Sequence, residues 1–314
     1  MSKMSRHDLQ GIADYLVSIA NQAGSIIRNA RPTLLTTSPK KNTADMVTET
    51  DHAVEQFIRD RLAEKYPSFA FVGEETYGTG LDITGLPTFI VDPIDGTSNF
   101  IHGFPAVCVS IGLVIDQQPA AGVVYNPFQD ELWSAVRGQG AFVSQRGGPR
   151  QRLPLTRTPL EGLRTACIGI EWGSDREGPN FDLNVKVFTA LARTAATGGY
   201  FVNSLRCIGS AAIAICRVAA GQQDAFWECG CWAWDVAAAW CILSEAGGIM
   251  VDGHPRNWNP PIDNRRYLAV RPASRGHRQF VEEFWSILGT DRSTYGPPPV
   301  HHALAIDRHT GITS

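Results

Sequence analysis

The sequence predicts an α+β fold of two lobes that share one site. Three observations carry that expectation: two helical segments open the chain, strand-like runs dominate up to about residue 150, and strands and helices mix thereafter. At 314 residues, with 43% hydrophobic and 19% charged residues, the chain has the composition of an ordinary globular protein able to bury a sizeable core. A net charge of −3 gives no general attraction to nucleic acid or to an anionic membrane. A phosphate-bearing ligand would therefore have to be drawn in locally, for instance by a bound cation.

The first helix is expected over 6–30, where Leu9, Ile12, Ala13, Leu16, Ile19, Ala20, Ala23, Ile26 and Ile27 recur at helical spacing behind a Ser5 cap. A second helix, near 50–65, carries Val54, Phe57, Ile58 and Leu62. Strands are then read in "FAFVGEE", "TFIVD", "VCVSIGLVI", "AAGVVYNP" and "ELWSAVRGQGAFV", the last two as successive antiparallel strands. In the second half "TACIGIEWG" reads as a strand and "NFDLNVKVFTALART" as a helix. "GSAAIAICRVAAG" is a small-residue helix closed by Gly221, and "DAFWE" a short strand. "WDVAAAWCILSEAGG" is a helix stopped at Gly247-Gly248, and "IMVDGHP" is read as the final strand and turn. The boundaries expected are 1–288 for the globular part, in lobes of about 1–150 and 151–288, and 289–314 for a loosely held, proline-bearing tail. No segment approaches the roughly 20 apolar residues of a membrane span, and the N-terminus has no signal-type apolar core, so a cytoplasmic protein is expected.

Seven cysteines, at 108, 167, 207, 216, 229, 231 and 241, include no Cys-x-x-Cys pair, which argues against a zinc knuckle or a dithiol redox motif. Most are expected as reduced, buried thiols. Cys229 and Cys231 lie beside an acidic motif, which leaves a redox role open for them.

Four places set carboxylates at the edges of regular structure: Asp51 in "VTETD", Glu74-Glu75 in "VGEET", Asp92 and Asp95 in "DPIDGT", and Asp235 in "WDVAAAW". One such acid is ordinarily a turn residue or a helix cap. Four placed alike suggest a shared purpose. "DPIDGT" is the most specific, and it is read as a tight loop after the strand. Pro93 restrains Asp92 toward an extended conformation and Gly96 permits an unusual backbone angle. An all-oxygen shell of this kind suits a hard cation such as Mg²⁺ or Mn²⁺ rather than zinc. The Asp-x-Asp-x-Thr pattern of aspartyl-phosphate enzymes does not fit, because two residues separate these aspartates and one of them is proline.

"GEE", "DPIDGTSNF" and "WDVAAA" followed by "EAGG" together resemble the inositol monophosphatase family of Mg²⁺-dependent, lithium-sensitive phosphatases, over roughly residues 8 to 285. The resemblance extends weakly to fungal members associated with quinate utilisation. It implies the layered α/β/α/β/α sandwich shared with fructose-1,6-bisphosphatase, and a homodimer. It also implies metal ligation of two or three Mg²⁺ by Glu74, Asp92, the Ile94 carbonyl, Asp95 and Asp235, with Mn²⁺ able to substitute and Li⁺ inhibitory. Asp95, Gly96 and Thr97 would bind phosphate, and Glu74 with the Asp51–Thr97 pair would activate water. Glu228 and Ala211 would face the substrate, Lys40 or Lys41 would reach in from "SPKKNTAD", and Arg206 would take a substrate-side or interface role. The expected substrate is inositol monophosphate or another small polyol or sugar phosphate. The alternatives are a sugar bisphosphate or a 3′-phosphonucleotide, for which Arg265-Arg266 is the one basic candidate, or a silent regulatory relative that kept the fold. Trp232 and Trp234 would form a bulky wall, and "EWGSDREGPN" another rim.

Overall fold

A computed structural model describes residues 5–30, 37–39, 46–77 and 83–296, with 37–39 and Met46 described by backbone alone. Helix α1 (Arg6–Asn29) starts at a reciprocal cap: the Ser5 hydroxyl accepts from the Asp8 amide at 3.1 Å, and Asp8 accepts from the Ser5 amide at 3.0 Å. Strands β1 (Thr37–Pro39) and β2 (Met46–Thr48) pair antiparallel and lead into α2 (Glu49–Lys65). A seven-stranded sheet follows, formed by β3 (Ala70–Gly73), β4 (Thr88–Asp95), β5 (Cys108–Ile115), β6 (Gln118–Asn126), β7 (Glu131–Val136), β8 (Gly140–Gln145) and β9 (Gln151–Arg152). Its strands lie in sequence order, antiparallel except for the parallel β3–β4 pair. The short helix α3 (Thr97–His102) is set between β4 and β5.

The second lobe holds β10 (Cys167–Ile170), α4 (Gly178–Ala192), β11 (Ser204–Arg206), α5 (Ala211–Ala220), β12 (Ala225–Cys229), α6 (Ala233–Ala246), β13 (Ile249–Asp252), β14 (Arg266–Val270) and α7 (His277–Leu288). Its five strands run in the order β11-β10-β12-β14-β13, parallel across the first three and antiparallel from β12 onward.

Side-chain alternation along the strands produces three cores and therefore five layers. Phe89, Val91, Val109, Ile111 and Leu113 face α1 and α2. On the other face of the same sheet, Ile90, Val124, Trp133 and Val143 meet α5 and α6, which in turn cover Phe226, Tyr267 and Ala269 of the second sheet. The far side of that sheet packs Ile168, Trp227 and Leu268 against Leu183 and Val187 of α4 and Phe280 and Phe284 of α7. The α/β/α/β/α sandwich is the architecture observed. Its middle layer is close-fitted: paired across β5 and β6, Gly112 and Gly122 form a flat seat for Ala237 and Ala238 of α6. A Cβ on Gly122 would stand 2.2 Å from the Ala238 carbonyl oxygen.

Four expectations are corrected. "DPID" is not a loop after the strand, because β4 runs through Asp95 with an irregularity between Asp92 and Asp95, opposite Ser110 and Cys108. Pro93 has no amide to pair, and the strand passes it by bulging. "ELWSAVRGQGAFV" is a hairpin of two strands that turns at 137–139, not one strand. The strand at 249–252 is not the last element, since β14 and the amphipathic α7 follow it. The tail is not loose as far as residue 296: His254 Nε2 accepts from the Ser293 amide at 2.9 Å, and Asn180 Oδ1 accepts from the Thr294 amide at 2.8 Å. Residues 297–314 lie outside the described residues.

Candidate active site

The acids are brought together by three chain segments that end over one cleft of about 660 Å³. The end of β4 supplies Asp92, Ile94 and Asp95, the turn after the parallel neighbour β3 supplies Glu74, and the first turn of α6 supplies Asp235. The Glu74 amide donates to the Val91 carbonyl at 3.1 Å, which fixes that turn to β4. Behind it, the buried Glu55 of α2 accepts from the Glu75 amide at 2.7 Å. Asp92 is 2% exposed and accepts from the Ile94 amide at 3.0 Å, which tightens the strand end. Asp235 caps its own helix by accepting from the Trp232 amide at 2.6 Å.

Asp95 ties the two lobes together. One of its oxygens accepts from the Ser210 hydroxyl at 2.5 Å and the Ala212 amide at 2.8 Å, at the start of α5. Cys108 Sγ stands 3.6 Å from the same oxygen. Gly96, with φ of 92°, then turns the chain into α3; a Cβ there would meet the Ala106 carbonyl at 2.7 Å, so the position requires glycine. The Thr97 hydroxyl lies 3.0 Å from the Ile94 carbonyl and 3.2 Å from Asp51 Oδ1. Asp51 is wholly buried and accepts from the Thr48 amide at 3.0 Å and from the Thr48 hydroxyl, completing the reciprocal cap that Thr48 begins at the start of α2.

Crowding sets the electrostatics. Burial pushes Asp92 well above the usual carboxylate range, and repulsion from Glu74, Asp95 and Asp235 pushes it further. Asp235 is pushed up to about 7 by burial and then by Asp95, against the pull of the Trp232 amide. Burial also raises Asp95, although the Ser210 and Ala212 donors oppose the rise. Glu228 is raised well above its ordinary value by burial, with Glu171 adding to it. Among the described residues no three acids converge on one point as a closed metal shell. The donor set nonetheless fits a hard cation. It offers four carboxylates and a main-chain carbonyl, all oxygen, around one cleft, and a divalent cation would relieve their mutual repulsion.

Of the other expected residues, Glu228 and Ala211 line the cleft, as do Trp232, Trp234 and the rim segment that begins at Glu171. Arg206 does not. It is exposed on the edge strand β11, where its guanidinium bonds to the Ser204 hydroxyl and, at 2.9 Å, to the Leu205 carbonyl. Lys40 and Lys41 lie outside the described residues. Cys229 and Cys231 are buried thiols raised by burial, so they have none of the exposure and thiolate character of a redox pair. Tyr295 escaped sequence reading, since it lies in the segment taken for a tail. Glu171, the first residue of the expected rim, accepts from the Ile208 and Gly209 amides at 2.6 and 2.8 Å, and Arg265, expected only as a basic candidate for a second phosphate, also lines the cleft. A second cavity, of about 530 Å³ between α1 and β7–β8, has no such gathering of acids.

Comparisons with known proteins identify the family. The model of the inositol monophosphatase family matches residues 8–288. Inositol monophosphatase 2 of Saccharomyces cerevisiae is 48% identical over 252 residues, spanning 78% of this chain and 83% of its own. Protein qutG of Emericella nidulans is 37% identical over 291 residues, covering 85% and 87%. The solved structure of inositol monophosphatase from Anabaena (Nostoc) sp. PCC 7120 superposes with a TM-score of 0.70 at 28% identity, covering 93% of this chain and 98% of that one. Fold and cleft together define a phosphoric monoester hydrolase. The chain belongs to the inositol monophosphatase family.

Proposed function

We propose that the protein hydrolyses inositol monophosphate with the help of Mg²⁺ held by Glu74, Asp92, Asp95, Asp235 and the Ile94 carbonyl. The observation that carries this reading is the gathering of those five oxygen donors around one cleft, which Thr97 also lines with its hydroxyl bonded to the buried Asp51. Two or three ions, replaceable by Mn²⁺ and opposed by Li⁺, belong to the proposal, as do the homodimer and the cytoplasmic setting. No helix among the described residues is long and apolar enough to cross a membrane. Intact acids at every expected position favour an active enzyme over a silent relative.

Held by these donors, Mg²⁺ would supply the charge that offsets the phosphate dianion and the Lewis acidity that makes water a better nucleophile and the alkoxide a better leaving group. The protein's own groups do the rest. Thr97 Oγ1 holds the attacking water and passes its proton toward Asp51 Oδ1, 3.2 Å away. Asp51 is held for that task by Thr48 and by its place in the first turn of α2, where the helix dipole favours its anionic form. Glu74 orients the same water. The backbone amides of Gly96 and Thr97 receive the phosphate, and Glu228 accepts hydrogen bonds from the hydroxyls of the departing polyol. Stacked at 5.1 Å, Trp232 and Trp234 keep water from that side.

The test is phosphate release from inositol 1-phosphate with Mg²⁺, with a chelator, and by Asp95→Asn. Mg²⁺-dependent release by the wild type, lost in the other two conditions, is the expected result. Release that is indifferent to chelator and variant would overturn the assignment.

A further inference from the structure

One wall of the cleft carries a cation that the mechanism above does not use. Arg265 lines the cleft and is half-buried; burial lowers its pKa, and Asp235 is among the charges that oppose the fall. Its guanidinium carbon lies 3.4 Å from the Trp232 ring centroid and 4.9 Å from that of Tyr295, so it packs against two aromatic rings. The backbone is in the left-handed region, with φ of 65°, a conformation uncommon for arginine and fixed here by the Gly230 amide donating to the Arg265 carbonyl at 2.7 Å. Tyr295 is itself pinned. Its hydroxyl donates to Asp175 at 2.6 Å, its carbonyl accepts from Arg266 at 2.6 Å, and its ring lies over Gly230, where a Cβ would come within 3.1 Å.

What sets Arg265 apart is that no carboxylate among the described residues forms an ion pair with it; Asp235 acts on it only as a neighbouring charge. The other enclosed arginines are matched: Arg217 with Glu131 at 2.5 Å, Arg266 with Asp252 at 3.2 Å, and Arg271 with Asp224 at 2.7 Å. Arg265 spends one amino group on the Gly230 carbonyl at 2.8 Å, and its Nε is buried with no hydrogen-bond partner among the described residues. The Nε is closed off from the cleft, but the second amino group makes no hydrogen bond among the described residues, and a half-buried guanidinium with that donor available at a reaction cleft is disposed to bind an anion. The transferred phosphate is assigned above to the amides of Gly96 and Thr97. The anion facing Arg265 therefore belongs to the alcohol that leaves.

We propose that Arg265, clamped by Trp232 and Tyr295, is a specificity-determining residue that contacts the leaving group and favours phosphate esters whose alcohol carries a second anionic group, a carboxylate or another phosphate. This deepens the phosphatase reading and rests on it. Arg266 adds nothing to the contact, because Asp252 already holds it.

The test measures Mg²⁺-dependent phosphate release by wild type, Arg265→Met and Tyr295→Leu on inositol 1-phosphate, inositol 1,4-bisphosphate and 6-phosphogluconate. Arg265→Met is expected to lower kcat/KM on at least one of the anion-bearing esters by tenfold or more, mainly through KM, and to change it on inositol 1-phosphate by less than threefold. Whichever ester suffers identifies carboxylate or phosphate as the recognised group. Tyr295→Leu, which keeps the cation and removes one clamp, is expected to show the same selectivity at smaller size. A parallel loss on all three esters, or no loss on any, would overturn the inference while leaving the phosphatase reading in place. Absence of release from every ester by the wild type would sink that reading, and this inference with it.

Discussion

Gly122→Ala joins packing to catalysis in a single methyl group. The new Cβ would stand 2.2 Å from the Ala238 carbonyl oxygen and 2.9 Å from Ala238 Cα, where ordinary contacts begin near 3.4 Å. Those atoms are helix backbone and cannot rotate away, so α6 must lift from the sheet by about 1 Å at that point. Overpacking of this kind costs about 1–3 kcal/mol, and the close approach places this variant toward the upper end. For a chain of this size that lowers Tm by roughly 2–4 °C per kcal/mol. The larger effect falls on activity. Asp235 lies one turn ahead of Ala238 on the same helix, and displacing a reacting group by about 1 Å is worth roughly 10²-fold in rate. Thermal unfolding followed by circular dichroism, with Mg²⁺-dependent phosphate release at a temperature where both proteins are folded, measures the two effects separately. A variant that melts with the wild type and retains full turnover would refute the argument that the paired glycines set the position of α6.

Asp95→Asn keeps the shape of a side chain that accepts from Ser210 and Ala212 but removes its charge, so Mg²⁺-dependent turnover is expected to fall by at least roughly 10²-fold while the far-ultraviolet spectrum is unchanged. Thr97→Val should lower kcat by about 10²–10⁴-fold, and Thr97→Ser should restore most of it, because only the hydroxyl reaches Asp51. Acid should loosen the strap at 291–296. His254 accepts the Ser293 amide only when neutral, and burial followed by Arg266 lowers its pKa to about 4 from 6.5. A folded-state pKa below the unfolded one means that the stabilisation is complete above about pH 6.5 and is lost as pH falls toward 4. Hydrogen exchange at the Ser293 and Thr294 amides, followed between pH 7 and 4.5 after correction for intrinsic rates, should show falling protection. Unchanged protection would remove His254 from that role.

The acids were legible because their signals are local. Pro93 and Gly96 advertise a special backbone within "DPIDGT", and Asp235 stands at a recognisable helix start. Alternation in β4 and β5 and the amphipathic α1 likewise require only neighbouring residues. Helix α7 was equally readable from Phe280, Val281, Phe284 and Leu288, and lay inside the expected globular part without being read as an element. The roles of Arg265, Glu171 and Tyr295 could not be read in this way. Arg265 and Arg266 are adjacent and identical in type, yet one points into the cleft and its neighbour pairs with Asp252. Which does which is decided by a left-handed residue in the backbone and by a tyrosine thirty positions downstream. Glu171 owes its place to the amides of Ile208 and Gly209, on a segment that pairs only once the second sheet exists.

The lobe-bridging bond from Asp95 to the start of α5 has a consequence for biogenesis. Asp95 emerges from the ribosome well before Ser210 and Ala212, the groups that will hold it, and before Asp235. A nascent chain that has completed the first sheet therefore carries a set of acids with neither the donors nor the fourth carboxylate that finish the site. Turnover is thus a late milestone of maturation: in a refolding experiment helical signal should recover first and phosphate release last, because these long-range contacts join the lobes only after each has formed.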